Sequence, residues 1–505
     1  MSQDNGPLPG PDLAQGVPLA SIPAGGVLAG HVGDDAVLLV RLDDGVHAVG
    51  AHCTHYGAPL AEGRFAGGHV HCPWHHACFD LRTGAADCAP AFAPLDRWRT
   101  EVIGDTVHVR DKLPFEASDE GQALPQPPRR ILIIGGGAAA YAAARRLRDR
   151  GFDGAITMLS ADHDLPVDRP NLSKDFLAGT APPEWLPLQD ADSYAAQGID
   201  LRLDCTVATL DPRARRATTT AGDTFDYDAA LIATGAEPRR LQLPGFDLPH
   251  VFALRSLADA RAIVAAAESA RRVAFVGAGF IGLEAAAALR SRGLEVSVVA
   301  PEAVPMARIL GERLGGFLTG LHREQGVAFH LGRKPVRLDG NVLALDDETR
   351  VDADLVVVGA GVVPRTQLAE AAGLAIDNGI LVDATLQASI PGHYAAGDVA
   401  RYPHAGGTAR VEHWVHAQRQ GQCVAGNLLG DGRPFTDVPF FWTHQYDLEL
   451  RATGHLSGWD DARVEGSLES RDFTVRYFRE GALVAAATVG RDRENLDIEA
   501  ELAAA

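Results

Sequence analysis

The sequence predicts a multidomain chain: a small all-β domain, two α/β domains of the doubly wound kind, and a C-terminal α+β domain. Three observations predict it. Residues 17–112 fall into short β-like runs broken by turns, for example at 36–40, 46–49 and 106–109. An apolar strand run followed at once by glycines and then a helical stretch occurs twice, starting at Ile131 and at Val273. The length of 505 residues is too great for one ordinary domain.

In order, residues 17–112 form the all-β domain, and 113–128, with Pro114, Pro125, Pro127 and Pro128, read as a linker. The first α/β domain is expected to begin at 129–248 and the second to occupy 249–365, with 366–433 expected as a second part of the first. Residues 434–505 close the chain. Hydrophobic content of 46% with 54 glycines and 30 prolines describes a folded, turn-rich protein. The formal net charge of −20 argues against nucleic acid and anionic membrane surfaces as partners. Residues 1–16 lack the basic start and apolar core of a signal peptide, and no apolar run is long enough for a membrane helix. Of six cysteines, Cys78, Cys88, Cys205 and Cys423 are scattered without a Cys-x-x-Cys. They are expected to be packing or inert thiols in a reducing cytoplasm.

The chemistry of the β domain rests on Cys53-Thr-His55 and Cys72-Pro-Trp-His75. Structural zinc also takes two Cys and two His, but usually from paired cysteines followed by paired histidines. Here each arm mixes one of each. That order resembles a Rieske site, in which two thiolates hold one iron of a [2Fe–2S] cluster and two imidazoles the other. His52, His71 and His76 break the register and read as exposed or hydrogen-bonded neighbours.

The first α/β unit carries Gly135-Gly-Gly137-Ala-Ala-Ala140 between strand and helix. The second carries Gly277-Ala-Gly279-Phe-Ile-Gly282-Leu-Glu284. Both are dinucleotide fingerprints in the right context, with glycines for close backbone approach and a helix N-terminus for a pyrophosphate. Leu231-Ile-Ala-Thr234-Gly235 and an apolar strand ending in Gly397-Asp398 complete an order that neither motif alone would establish.

That order resembles the two-dinucleotide flavoprotein reductases of the glutathione-reductase structural family, with Rossmann-like domains. The segment Leu165-Pro-Val-Asp-Arg169-Pro-Asn-Leu-Ser-Lys174 is similar to one in ferredoxin reductases of dioxygenase systems and in apoptosis-inducing factor. With the Rieske-like site in front, the whole chain resembles Rieske-containing, apoptosis-inducing-factor-like FAD reductases. The resemblance implies FAD at residues 135–140, Thr234, Gly235, Gly397 and Asp398, with Asp162 on its adenosine ribose. It implies NAD(P)H at Gly277, Gly279 and Gly282. Arg169 and Lys174 would lie against the flavin, Lys174 would pair with Glu284 beside the nicotinamide, and Trp414 and Trp442 would flank the flavin.

Two departures refine this reading. Ala300 stands where the second fingerprint expects an acid; Glu302 can serve the ribose, and no Arg follows at once, so NADH is expected over NADPH. Ala77 and Phe79 occupy the positions where respiratory Rieske proteins carry hydroxyl donors to the cluster, and Ala58 and Trp74 the positions of their inter-loop disulfide. Fewer donors to sulfur lower the potential, toward the ~−150 mV end of the Rieske range. The expected activity is NADH-dependent reduction of FAD, then of the cluster, then of an external one-electron acceptor such as an oxygenase, ferredoxin or cytochrome, with a homodimer as a possibility. The rival readings are an NADH-responsive redox sensor of the apoptosis-inducing-factor type and an NADH oxidase.

Overall fold

The computed structural model describes residues 10–114 and 128–505. Most of the expected linker, 115–127, and the first nine residues lie outside the described residues. At the N-terminal end, an antiparallel six-stranded sheet runs in the order Val17–Pro18, Thr106–Leu113, Arg97–Ile103, Gly45–Gly50, Asp35–Leu42, Val27–Val32. A second, four-stranded antiparallel sheet is built from Arg64–Ala66, His69–His71, Cys78–Asp80 and Ala86–Cys88. Between these sheets Leu38, Val40, Val49, Leu60, Val70, Phe79 and Leu81 are buried together. The alternation along Asp35–Leu42 also sends Val37 and Leu39 to a second small core with Trp98 and Val107.

Both α/β units are five-stranded parallel sheets. The first is ordered Ile199–Arg202, Ala155–Leu159, Arg130–Ile134, Ala229–Ile232, His393–Ala395. Its last strand comes from far along the chain, which is why this unit is split in sequence. The second is ordered Val251–Ala253, Leu355–Val358, Arg272–Val276, Glu295–Ala300, Ala328–Leu331. Continuous apolar strands suit sheets covered on both faces. The two helices that follow the fingerprints, Ala138–Asp149 and Phe280–Ser291, start directly from the glycines.

Small side chains set the approach of the long helix Trp414–Leu429 to Ala138–Asp149. Ala138, Ala139, Ala140, Ala142 and Ala143 are buried, and a Cβ on Gly421 would lie 2.2 Å from the Ala139 carbonyl oxygen. This close crossing brings the N-terminus of the long helix beside the first fingerprint. The C-terminal part is an antiparallel sheet, Phe440–Gln445, Leu448–Gly454, Ala482–Val489, Asp472–Arg479, Asp461–Ser467, packed by the helix Asp492–Ala504. No helix among the described residues is long and apolar enough to cross a membrane.

One expectation is corrected here. Cys78 and Cys88 are not inert thiols: they are register partners on adjacent strands and form a disulfide. Cys205 and Cys423 remain free.

Candidate functional site: a dinucleotide cavity with a two-loop metal centre at its edge

The two loops that carry Cys53/His55 and Cys72/His75 are the same turn made twice. In the first, the Cys53 amide donates to the Ala58 carbonyl at 2.9 Å and the Gly57 amide to the Cys53 carbonyl at 2.9 Å. In the second, Cys72 donates to Ala77 at 2.8 Å and His76 to Cys72 at 3.2 Å. Each turn needs a left-handed residue at its fourth step, filled by Gly57 (φ 78) and by His76 (φ 62). The His76 side chain points away from the cluster loop's ligands and is used elsewhere. It is fully buried, and its Nδ1 lies 2.5 Å from Glu499, which also receives Arg419 Nη1 at 2.7 Å.

The donor set fits a [2Fe–2S] cluster. His55 Nδ1 and His75 Nδ1 converge to 3.3 Å, the separation two imidazoles need on one metal. Burial pushes His55 down to about 4 and His75 well below the ordinary histidine value, so both are held in the neutral, ligating form. Cys53 and Cys72 are buried as a hydrogen-bonded pair: that bond pushes the Cys53 thiol up and holds Cys72 down. Backbone amides also favour the thiolates, those of His55 and Tyr56 at Cys53 and those of His75 and Trp74 at Cys72. Ala77 and Phe79 are fully buried at this loop, with no hydroxyl to offer.

A cavity of 1480 Å³ opens between the two α/β units and the C-terminal sheet. Gly135, Gly137, Asp162, Arg169, Lys174, Thr234, Gly235, Gly279, Gly282, Glu284, Gly397, Asp398 and Trp414 all line it. Gly135 (φ 130) passes so close to the next strand that a Cβ would meet the Ala233 carbonyl oxygen at 2.2 Å, and Gly277 (φ 112) repeats this against Gly359 at 2.3 Å. At Gly279, by contrast, a Cβ would meet nothing within 4 Å, so only glycine leaves that space free for a phosphate. Ala140 is buried behind the wall, and Gly277 turns the chain without lining it. Glu302 is exposed beyond the strand end and does not line the cavity.

Lys174 Nζ lies 2.8 Å from Glu284 Oε2, and Ser173 Oγ donates to the same oxygen at 2.6 Å. Asp162 pairs with Arg169 at 3.3 Å, and burial next to Arg255 brings Arg169 down to about 10. Sequence reasoning gave no role to Arg255, whose Nη2 holds Asp398 Oδ2 at 2.6 Å and which no motif marks, or to Ser173, although Ser173 stands beside Lys174 in the segment already singled out. Trp442 lines the cavity, sits 5.8 Å from Lys174 Nζ, and on its other side packs against the His75 imidazole at 4.2 Å between centroids. The metal-ligating loops therefore dock at the cavity's edge. Arg451 Nε to Trp74 O (2.9 Å), Arg419 Nη2 to His76 O (2.9 Å) and the Ala89 amide to Gln422 (2.9 Å) hold them there.

Two nucleotide folds facing one cavity, with a Cys₂His₂ pair of loops docked beside it, define a flavin- and nicotinamide-dependent oxidoreductase carrying an iron–sulfur module. Residues 129–421 match the pyridine nucleotide-disulphide oxidoreductase family, 17–99 the Rieske [2Fe-2S] domain and 440–502 the reductase C-terminal domain. The chain belongs to the pyridine nucleotide-disulphide oxidoreductases and carries a Rieske domain in front. It is 34% identical to apoptosis-inducing factor 3 of Homo sapiens over 92% of this chain and 79% of that protein. Rhodocoxin reductase of Rhodococcus erythropolis is 37% identical over 70% of this chain and 84% of its own. Among solved structures, the covalent putidaredoxin reductase–putidaredoxin complex superposes with a TM-score of 0.72 at 32% identity, covering 74% of this chain and 93% of that one. The protein is an FAD-dependent NAD(P)H oxidoreductase that passes electrons from NAD(P)H through FAD to a Rieske [2Fe–2S] cluster.

Proposed function

We propose that the protein is an NADH-dependent reductase whose Rieske domain, 17–112, is the electron exit to a separate one-electron carrier in the cytoplasm. The observation that carries this reading is Trp442, which touches the His75 ring on one side and walls the dinucleotide cavity on the other. The linker at 113–128, the FAD domain at 129–248 and 366–433, the NAD(P) domain at 249–365 and the C-terminal domain at 434–505 are proposed as its working units.

When bound, FAD supplies the conversion between the two-electron chemistry of nicotinamide and the one-electron chemistry of the cluster. Gly135, Gly137, Ala140, Asp162, Thr234, Gly235, Gly397, Asp398 and Trp414 would hold it, and Gly277, Gly279 and Gly282 the nicotinamide dinucleotide, whose adenosine ribose would have to reach beyond the cavity to meet the exposed Glu302. Lys174 and Arg169 place positive charge on the cavity wall, where negative charge accumulates on reduction. Glu284, tethered by Lys174 and Ser173, orients that charge beside the second fingerprint. Cys53, His55, Cys72 and His75 would hold the cluster. Relatives named as ferredoxin reductase components of an anthranilate dioxygenase and of a dehydrodivanillate demethylase support a ferredoxin or oxygenase as acceptor. The same relatives favour the reductase over the redox-sensor reading.

Purified protein is expected to hold two irons and two acid-labile sulfides alongside FAD. Replacing Cys72 is expected to leave flavin bleaching by NADH intact and to abolish output to a one-electron acceptor. Full-rate delivery to the native acceptor by cluster-free protein would overturn the exit role.

A further inference from the structure

We infer that Tyr56 is a positioning residue that couples the first cluster loop to the flavin-side segment, setting the rate at which the cluster is reduced from the cavity. The inference rests on the electron route proposed above and assigns a further residue to it.

Tyr56 sits between His55 and Gly57 at the tip of the first loop, where it remains 37% exposed. Its ring lies flat on the His55 imidazole, with centroids 4.0 Å apart and planes 8° apart, and meets His75 edge-on at 5.3 Å. One side chain thus touches both imidazoles of the metal centre. Its hydroxyl leaves the β domain altogether and donates to Asp168 Oδ2. Asn171 Nδ2 closes the arrangement, reaching the Tyr56 hydroxyl and Asp168 Oδ2 at 3.0 Å each.

Asp168 is no ordinary surface acceptor. It is buried, burial raises its carboxyl, and its other oxygen has no hydrogen-bond partner among the described residues. A buried carboxylate whose two side-chain donors, Tyr56 and Asn171, both go to one oxygen depends on each of them. Asp168 also stands immediately before Arg169–Leu172, the helical turn that presents Arg169 and, just beyond it, Lys174 to the cavity. The Tyr56 hydroxyl is therefore fastened to the segment that shapes the flavin side, while its ring braces the two histidines. The contacts at Trp74 and His76 fix the second loop to Arg451 of the C-terminal sheet and to Arg419 of the long helix Trp414–Leu429; Tyr56 ties the first loop to the segment that ends in Lys174.

The test uses the full-length holoprotein with two substitutions. Tyr56→Phe keeps the stacked ring and loses the hydroxyl; Tyr56→Ala loses both. In stopped flow with NADH, Tyr56→Phe is expected to reduce its flavin at the wild-type rate and its cluster roughly tenfold more slowly, the size of effect expected from a lost hydrogen bond to a charged group. Its dithionite-reduced EPR spectrum should keep the wild-type g values and spin count. Tyr56→Ala should slow cluster reduction further and shift the g values, because the His55 ring loses its neighbour. Wild-type cluster reduction in both variants overturns the inference, as does slowing that merely tracks lost iron. If NADH fails to reduce the cluster even in the unaltered protein, it is the electron route that fails instead.

Discussion

Lys174 Nζ and Glu284 Oε2 meet at 2.8 Å with their side chains only 11% and 5% exposed. The two residues come from different parts of the chain, Lys174 from the segment after the first nucleotide strand pair and Glu284 from the helix after the second fingerprint. Their pairing sets the two halves of the cavity in register. A buried pair of this kind owes little net stability to its Coulomb attraction, yet removing one member leaves a bare charge that costs about 3–5 kcal/mol.

Glu284→Ala is accordingly expected to lower the unfolding midpoint and to slow reduction of flavin by NADH by roughly 10²-fold, the usual effect of losing one oriented electrostatic group in an active site. Glu284→Gln, which still accepts from Ser173, should recover part of the stability. Dithionite reduction of the cluster should be unaffected in both. Unchanged hydride-transfer rates in rapid mixing would show that the pair only braces the fold.

The cluster potential offers a second measurement. Amides of His55, Tyr56, Trp74 and His75 serve the two sulfurs, but Ala77 and Phe79 add no hydroxyl donors. Ala77→Ser and Phe79→Tyr are expected to raise the midpoint toward the middle of the range of about −150 to +300 mV, because donors to sulfur favour the reduced cluster. EPR-monitored titration reads this directly. A midpoint that stays or falls in both variants would mean that these positions do not face the cluster.

What the sequence revealed is what is local. Cys53/His55 and Cys72/His75 each lie within one turn, and Gly135–Ala140 and Gly277–Gly282 each follow their own strand, so a contiguous motif carries the geometry. The Lys174–Glu284 pair came from resemblance, since nothing in either segment names the other. Tyr56 with Asp168, 112 residues away, and His76 with Glu499, 423 away, depend on how separate modules dock, which no local pattern encodes. Trp442 stands in the run Phe440-Phe-Trp442, which an ordinary core strand would also show, and only its neighbours His75 and Lys174 mark it as cavity wall. The Cys78–Cys88 bond was hidden for a related reason: it depends on the strand register that makes them partners.

That disulfide leads to a simple thiol count. In denatured, cluster-stripped protein, Cys53, Cys72, Cys205 and Cys423 should alkylate without reductant, and Cys78 and Cys88 only after reduction. Cys88→Ser should destabilise the Rieske domain by about 2–4 kcal/mol, the typical cost of losing a native cross-link. Six reactive thiols before reduction would remove the bond from the picture of the protein in solution.

Acid stability should depend in part on a group of histidines on the far side of the cavity from the metal-ligating loops. Burial, opposed by Asp398, brings His413 down to about 4. Burial, then His404, His413 and Arg479, brings His455 down to about 3, and the rings of His404 and His455 stack at 3.6 Å. His416 is held well below its ordinary value by burial and by His413, His455, Arg419 and His404. The unfolded chain binds a proton on each near pH 6.5, whereas the folded protein refuses it until several pH units lower. Between those limits the unfolded state holds more protons, so stability is full above about pH 6.5 and falls as the pH drops, by about 1.4 kcal/mol per unit for each histidine. Carboxylates such as Glu499, which burial would raise but which Arg419 and then His76 hold low in the folded protein, add their own loss only further down, below the ordinary Glu range. His455→Phe keeps a ring for His404 to stack on and cannot take a proton. Denaturant melts of wild type and variant should agree in shape above pH 7 and diverge between pH 6.5 and 4.5, where the variant loses less. Parallel decline of the two curves through that window would show that His455 is already free to protonate in the folded state.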